Sequence, residues 1–583
     1  MVRVADYVAQ FLENKGIQHV FEVTGGGAMF LNDAVEQSKL TPTFCHHEQS
    51  CTMAAVGYTK VNNEVSVVIS TTGCGSTNTI TGVLDAWQDS HKLMVISGQV
   101  NKKDTTLLNP VPLRKLGVQE ANIVKIVDSI TKYAVMIEDA QDIAYELEKA
   151  YHLCTTGRPG PVWIDIPLDI QSALIDVNDL KHYTPDPISK NLSSISRFEH
   201  YLKNSKRPII IAGNGIHLSD SSESFKRFIE HYQIPVATTF LGVNLLEEDH
   251  PLYVGRVGLK GTRAGNFAVA NSDLIISLGS SLSIPATGYQ YHLFGREAKI
   301  IAVDIDKNEH LKNTVKINEI IEEDLANFFT LPYKSNIPVN LTWLNKCQTW
   351  KTKWPIFDRE DIHKLNMYSF SKTISETTKN STVVTDAGSA YYILAQSLLH
   401  NQLILPSAQG EMGFTLPAAI GAYLANPNTT VIGVTGEGSF QFNIQELQTI
   451  VHNNLPIKIF ILNNGGYLSI KNTQTKFFNK RYSGTGPSSG VSFPDTEKIA
   501  YAYGIPFKRI STLSDLTENI SSILNSDTYF LCEVMCPPDE TIYPTSATLQ
   551  TKDGKLVSQP LENMSPFLSK EEFESEMIIP IFK

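Results

Sequence analysis

Short runs rich in Val and Ile recur along the 583-residue chain, separated by stretches in which apolar positions return every three or four residues. They include EVSVVIS (Glu64–Ser70), HKLMVISG (His91–Gly98), PVWIDI (Pro161–Ile166), RPIIIAG (Arg207–Gly213), SDLIISLG (Ser272–Gly279), AKIIAVDI (Ala298–Ile305), STVVTDAG (Ser381–Gly388), TTVIGVTG (Thr429–Gly436) and LPIKIFILNN (Leu455–Asn464). Runs of this kind predict strands buried on both faces, which belong to parallel sheets covered by helices, so the predicted fold class is α/β. The opening MVRVADYVAQFLENKG has the spacing of an amphipathic helix, and no run of about 18 apolar residues offers a membrane span.

Two stretches read as linkers: 171–197, polar with two prolines, and 331–367, which holds three of the five tryptophans. They predict domains over 1–170, 190–332 and 366–545, followed by a tail over 546–583. Trp343, Trp350 and Trp354 are seven and four residues apart, which places them on one helix face, expected to pin the linker against a domain. The first and third blocks repeat each other. TTGCGST (Thr71–Thr77) matches VTGEGSF (Val434–Phe440) at an offset of 363 (435 − 72), and MAAVGY (Met53–Tyr58) matches PAAIGA (Pro417–Ala422) at 364 (418 − 54). LMVISGQ and IFILNN follow as the next strand, so the two blocks are expected to share a fold.

The middle block has RPIIIAGNGIHL and AKIIAVDID, similar to half of a dinucleotide-binding fold. Leu218 stands where the fingerprint wants a third glycine or alanine after Gly213 and Gly215, and a nucleotide-free spacer fits equally. Composition narrows the partners: with 42% hydrophobic residues, 19% charged and a net charge of −11, the chain reads as globular and poorly suited to nucleic acid or an anionic membrane. Seven cysteines, with no C-x-x-C pair, predict free thiols in a reducing, cytoplasmic setting.

The candidate chemistry starts at GEGSFQFN (Gly436–Asn443), a glycine-rich turn directly after the apolar run VIGVT. Such a turn exposes backbone N–H groups and a helix start, which suits phosphate, yet Glu437 brings a negative charge. A helix over SFQFNIQELQTIVHNN, with Phe440, Ile444, Leu447 and Val451 on one face, would return the chain in parallel to IKIFILNN. Glu437 and Asn464, 27 positions apart (464 − 437), would then meet at one sheet edge. A carboxylate oxygen, an amide oxygen and a backbone carbonyl beside a phosphate-binding turn make an oxygen shell suited to Mg²⁺.

G-E-G-S-F, a helix and I-L-N-N-G-G-Y resemble the thiamine-diphosphate motif, G-D-G-S followed some 25 residues on by N-N, and the resemblance is nearest to the acetolactate synthase (acetohydroxyacid synthase) large-subunit group. The resemblance implies three domains, of which the first and third share the thiamine-diphosphate-binding fold. It implies Mg²⁺ on Glu437, Asn464 and the backbone of Gly466, and diphosphate at Gly436, Gly438, Ser439 and the DAGS turn with Gly388 and Ser389, beside Tyr467. HEQ (His47–Gln49) is similar to the family's H-E-Q, so Glu48 would be the catalytic acid that hydrogen-bonds N1′ of the cofactor's aminopyrimidine and promotes proton removal from the thiazolium. VFEVTGGGAMF, TTGCGSTNTITG and LRKLGVQE resemble the active-site loops and nominate Gly25, Gly26, Gly27, Asn78 and Gln119; plain tight turns account equally well for Gly27 and Asn78. GEMGFTLPAAIGA resembles the segment that wedges a bulky residue, here Met412, under the cofactor while the Gly410 carbonyl accepts from its amino group.

The implied reaction is decarboxylation of a 2-oxo acid, pyruvate first, with transfer of the remaining two-carbon unit to an acceptor carbonyl. Plain decarboxylation to an aldehyde, transfer to a keto-sugar or other aldehyde, and a catalytically silent regulatory relative are the alternatives. In that family the halves of one site come from two subunits, which implies a homodimer or homotetramer. Three departures stand out. Glu437 replaces the family's Asp, Thr473 falls where the synthases carry the tryptophan that shapes the acceptor pocket, and LGSSLSIPATG (Leu278–Gly288) lacks the arginine and acids of the flavin-binding A-R-F-D-D-R-V-T-G, which counts against FAD.

Overall fold

The computed structural model describes residues 1–186, 194–332, 340–406, 408–550 and 555–582. The apolar runs become the centres of three six-stranded sheets. Every residue of Ser66–Ser70, Leu93–Gln99, Val162–Pro167, Pro208–Ala212 and Leu274–Leu278 is buried, as expected where helices cover both faces of a parallel sheet.

The first sheet runs, in spatial order, Thr41–Phe44, His19–Glu22, Ser66–Ser70, Leu93–Gln99, Val162–Pro167, Tyr133–Met136. The third runs Gln402–Ile404, Thr382–Thr385, Val431–Gly436, Lys458–Asn463, Phe530–Met535, Phe507–Ile510. All their pairings are parallel, and both orders read 2-1-3-4-6-5 when strands are counted along each domain, so the sequence repeat reflects one shared topology.

The middle sheet runs 3-2-1-4-5-6, the complete doubly wound order of which the sequence showed only half. Gly213 and Gly215 serve its packing: a Cβ on Gly213 would fall 2.4 Å from the Gly279 carbonyl, and one on Gly215 would fall 2.7 Å from Gly279 Cα. A cavity of about 490 Å³ opens at this switch point, lined by Gly215, Gly279, Ser281 and Asp304 of the middle domain and by Arg158 of the first.

The first and third domains meet through the helices Glu48–Asn62 and Thr415–Ala425. A Cβ on Gly57 would fall 2.3 Å from the Ala418 carbonyl, and one on Gly421 would fall 1.8 Å from the Ala54 carbonyl. The two backbones therefore touch, and MAAVGY and PAAIGA are the segments that let them. Beside this contact Lys60 donates to Asp89 at 2.9 Å and to the Leu405 carbonyl at 2.7 Å, with Asp85 at 3.4 Å, so a buried cation is fully partnered across the domain boundary.

The tryptophan helix is Leu341–Lys353, and it does pin the linker. Trp343 Nε1 donates to the Pro208 carbonyl at 2.8 Å, while Trp350 and Trp354 donate to Glu576 and Glu572 of the tail. The tail is thereby strapped to the middle domain, where Arg296 also pairs with Glu562 at 2.6 Å and Ile578 N–H donates to Asn271 at 2.7 Å. One expected element is different. The single helix after GEG is broken into Glu437–Phe440, a 3₁₀ turn Gln441–Asn443 and Glu446–His452. Two polar side chains turn inward at the break. Asn443 donates to the Gly413 carbonyl and accepts from Ser50, while Glu446 accepts from His46 N–H. Of the expected face, Phe440 and Leu447 are nonetheless buried, and Ile444 and Val451 are half-buried against the same core, which also takes Ile450.

Gly421→Ala is expected to lower the unfolding midpoint, with a loss of about 3 kcal/mol from overpacking against a backbone carbonyl. Gly26→Ala, whose added carbon meets nothing within 4 Å, serves as the control. Equal melting of the two variants by calorimetry would remove the helix contact from its place in the fold.

Candidate active site

In the third domain, three strands end at one sheet edge and each opens into a turn. The strand Thr382–Thr385 leads into Asp386–Ser389, Val431–Gly436 into Glu437, and Lys458–Asn463 into Asn464–Tyr467. Asp386 ties the turns together. Its buried carboxylate accepts from Ser439 at 2.6 Å, Thr435 at 3.0 Å and Ala387 N–H at 2.8 Å. Burial pushes its pKa up, and these hydrogen bonds oppose that shift. Ser439 in turn accepts from Gly413 N–H at 2.8 Å, so its hydroxyl is committed to joining the GEGS, DAGS and GEMG segments.

Glu437 is buried, and its carboxylate faces the next strand end. It accepts from Gly466 N–H at 2.5 Å and, at 3.4 Å, from Asn464 N–H. Burial pushes its pKa up, partly offset by these backbone donors. Asn464 Oδ1 and Ser389 Oγ are both buried and, among the described residues, have no hydrogen-bond partner. Orphaned buried oxygens of this kind call for a ligand. Among the described residues, Gly388, Gly410 and Gly436 have no heavy atom within 4 Å of the Cβ they lack, so backbone lies open at the same edge. An oxygen-only set of Glu437, Asn464 and the Gly466 carbonyl fits a hard divalent cation, and the open glycines with Ser389 fit a diphosphate beside it. Tyr467 closes the cradle from outside: its ring occupies the space a Cβ on Gly438 would need, at 2.2 Å. Gly410 and Gly413, at φ +62° and +85°, bracket Glu411 and Met412 with two left-handed residues.

The first domain supplies a second cluster. Glu48 opens the helix Glu48–Asn62, capped by His47, and accepts from Asn78 at 3.0 Å. Gly25 and Gly27 are required by packing on Thr71 and Thr72, whereas Gly26 faces open space. Gln119 is held at φ +61°, its carbonyl wedged where a Cβ on Gly73 would fall at 1.9 Å. A buried chain supports it. Thr72 donates to Gln99 at 2.7 Å, and Gln99 donates to Asp165 at 2.9 Å and to the Ala121 carbonyl at 2.9 Å. Burial pushes Asp165 up to about 7, against the hydrogen bonds from Ser97 and Gln99.

The structure thus brings together Glu48 with Asn78, and Glu437 with Asn464, Gly466 and Tyr467. The hydrogen bonds of Glu48 come from the first domain and those of Glu437 from the third. Three groups escaped the sequence reading: Asp386 as a hub, Glu411, and the Asp165–Gln99 chain. The repeat held a signal for the first, because Asp386 minus 364 is Glu22, another buried acid at the end of its domain's first strand. Glu411 has both carboxylate oxygens buried without partners among the described residues, and burial pushes it up to about 7.

Comparison with known proteins matches three domains of thiamine pyrophosphate enzymes: the N-terminal TPP binding domain at residues 2–126, the central domain at 195–330 and the C-terminal TPP binding domain at 386–534. The chain is 31% identical to a probable acetolactate synthase large subunit of Methanocaldococcus jannaschii, over 98% of this chain and 97% of that protein. It is 34% identical to the acetolactate synthase large subunit of Lactococcus lactis, over 92% and 93%, and 30% identical to the large subunit of acetolactate synthase isozyme 2 of Escherichia coli, over 93% and 96%.

Two outcomes follow from this geometry. Glu437→Ala is expected to weaken Mg²⁺-dependent binding of thiamine diphosphate by about 100-fold or more, while Glu437→Asp retains it, as read by calorimetry. Equal affinity of the wild type and the Ala variant would remove Glu437 from the metal. For Asp165 the folded pKa, about 7, lies above the ordinary 3.8, so its contribution to stability is full below 3.8 and lost as pH rises through 7. Thermal midpoints of wild type should therefore fall relative to Asp165→Asn across that window; parallel curves would contradict the shift.

Proposed function

Because the chain belongs to the thiamine pyrophosphate enzymes, we propose that it decarboxylates pyruvate and joins the remaining two-carbon unit to a second carbonyl compound, as an acetolactate synthase does. The observation that carries this is the buried Glu437 set against the orphaned Asn464 Oδ1 and Gly466 at the open edge of the third sheet. Glu437, Asn464 and the Gly466 carbonyl would hold Mg²⁺; Gly388, Ser389, Gly436 and Gly438 would take the diphosphate. When bound, the cofactor would supply a carbon nucleophile and an electron sink for the decarboxylation of the 2-oxo acid.

The protein's own residues set the conditions for that chemistry. Glu48, oriented by Asn78, holds a proton at N1′ of the aminopyrimidine. Met412 and Gly410 would hold the cofactor between them and orient it for reaction, Gly410 through its carbonyl and Met412 as a bulky support. Gly26, Gly27 and Gln119 line the space beside the reacting carbon, with Gly26 open to substrate. The acetolactate synthases among the relatives favour carboligation over plain decarboxylation, over transfer to a keto-sugar and over a silent regulatory role.

Among the described residues the hydrogen bonds of Glu48 and Glu437 each come from their own domain, which supports a site assembled from two copies, in a homodimer or homotetramer. The reaction is redox-neutral, and Leu278–Gly288 carries neither arginine nor acid, so we assign flavin no step. The seven free thiols support a cytoplasmic setting, and among the described residues no helix is long and apolar enough to cross a membrane.

With thiamine diphosphate and Mg²⁺, the protein is expected to release CO₂ from pyruvate and form acetolactate, and Glu48→Gln to slow both by about 10²-fold or more. Acetaldehyde as sole product would select the decarboxylase, and no CO₂ from any common 2-oxo acid would select the silent relative.

A further inference from the structure

Two buried glutamines of the first domain, Gln171 and Gln99, direct their amide groups to the loops that line the space beside the reacting carbon. Gln171 opens the polar stretch after the first domain, yet its side chain is fully buried. Its Nε2 donates to the Gly27 carbonyl and to the Ile166 carbonyl, each at 2.7 Å, and among the described residues its Oε1 has no partner. Gly27 N–H donates to Thr71 Oγ1 at 3.0 Å, so Gly27 is held at both its N–H and its carbonyl. Gln99 holds the other loop. Its Nε2 donates to the Ala121 carbonyl and to Asp165, each at 2.9 Å, while its Oε1 accepts from Thr72 at 2.7 Å and from Val100 N–H at 3.0 Å. That amide therefore makes all four of its hydrogen bonds.

One strand orients both amides, since Asp165 and Ile166 are neighbours on Val162–Pro167. The carbonyls of Gly27, Ile166 and Ala121 only accept, so each glutamine must turn its NH₂ toward them. For Gln171 that orientation leaves Oε1 buried and unpaired, a cost that an apolar residue filling the same space would not carry.

The turn Thr71–Gly73 stands between the two loops. A Cβ on Gly27 would fall 2.9 Å from Thr72 Cγ2, and one on Gly73 would fall 1.9 Å from the Gln119 carbonyl. The same turn runs on to Gly75, where a Cβ would fall 3.4 Å from Glu48 Oε1, so both loops stand beside the acid proposed to hold the cofactor's proton. Gly26 faces open space, and the Gln119 side chain is exposed on a backbone held at φ +61°. A free side chain on backbone fixed in a sparsely populated conformation marks a contact surface.

We propose that Gln171 and Gln99 are positioning residues that decide the fate of the two-carbon unit. Gln171 fixes the Gly26–Gly27 wall of the space the acceptor enters, and Gln99 fixes the Gln119 wall. This rests on the carboligation proposed above. Forming the new C–C bond needs the acceptor's carbonyl carbon aligned about 3 to 3.5 Å from the nucleophilic carbon. Releasing the unit as acetaldehyde needs only a proton from water. Ligation is therefore the outcome that a displaced wall slows most.

The test gives pyruvate to the holoenzyme, saturated with thiamine diphosphate and Mg²⁺, and measures acetolactate and acetaldehyde together. Wild type is compared with Gln171→Met and Gln99→Met, which fill similar space without an amide. The ratio of acetolactate to acetaldehyde is expected to fall about 10-fold or more in each variant. Thiamine diphosphate binding, read by calorimetry, stays at the wild-type value. Amide hydrogen exchange on the protein without cofactor reads the walls directly. Exchange around Gly26 and Gly27 should quicken about 10-fold or more in Gln171→Met, and around Gln119 to Ala121 in Gln99→Met, each without the other. An unchanged product ratio, or unchanged exchange at the loop in question, overturns the proposal. Loss of exchange protection throughout the first domain also overturns it, by making the glutamine a general structural support. Where a Met variant does not fold, Gln171→Asn or Gln99→Asn, which keep the amide but withdraw it by one methylene, are measured instead. Should wild type form no acetolactate, the carboligation reading fails by itself, and exchange alone then upholds or overturns the anchoring of the two walls.

Discussion

The contact on which the architecture depends is the one between two helix backbones with no side chain between them. Gly57 lies against the Ala418 carbonyl and Gly421 against the Ala54 carbonyl, so the distance between the first and third domains is set by main chain alone. Close-packed interiors respond to even one added methyl, and here the neighbour is a carbonyl that cannot swing away. Because each helix opens at a candidate-site loop, this contact fixes how the two loops of one copy stand relative to each other, and with them the two sites to which that copy would contribute. The repeat makes the relation symmetrical: Glu48 plus 364 is Met412, so the residue proposed to hold the cofactor's proton and the residue proposed to bend it occupy equivalent places in the two domains. Likewise Glu437 minus 363 is Cys74, so the same strand-turn presents a carboxylate in one domain and a thiol in the other.

Burial then decides what each polar group does. Asp386 is fully buried with three donors on its carboxylate, which makes it a brace, since no lone pair is left facing a ligand without cost. Ser439 is part of the same brace, and its motif position alone does not show that. Asn464 Oδ1 and Ser389 Oγ carry the opposite sign: buried without partners, they are the atoms that gain by meeting something. The distinction between a brace and a binder depends on hydrogen-bond satisfaction, which spacing along a chain does not encode.

That is why legibility in the sequence was uneven. The β-branched runs marked strands in all three sheets because a strand buried on both faces leaves no polar positions to confuse the period. The common topology of the first and third domains was visible because its tightest contacts, Gly57 and Gly421, are where sequence is least free to vary in size. The break after Phe440 was not visible, since it comes from Asn443 and Glu446 reaching partners about 400 residues away in sequence, Ser50 and His46. The full order of the middle sheet was hidden for a related reason: Gly213 and Gly215 approach the Gly279 turn, so the glycines answer to packing and the fingerprint spacing is lost.

The longer acid at position 437 also finds a physical place. Glu437 is the first residue of its short helix, and its Oε1 spans to the N–H of Gly466 at 2.5 Å. A side chain shorter by one methylene, about 1.5 Å, would stop short of that donor. Gly466 has φ +157°, and a Cβ there would fall 2.0 Å from the Thr485 carbonyl, which also accepts from Tyr467 N–H at 2.9 Å, so the loop packs directly on Thr485. The extra methylene therefore suits the distance at which Thr485 holds the loop. On this argument the acid's identity is set by the position of the Asn464–Tyr467 turn, and the metal site is the dependent variable: its size follows from where Thr485 holds Gly466.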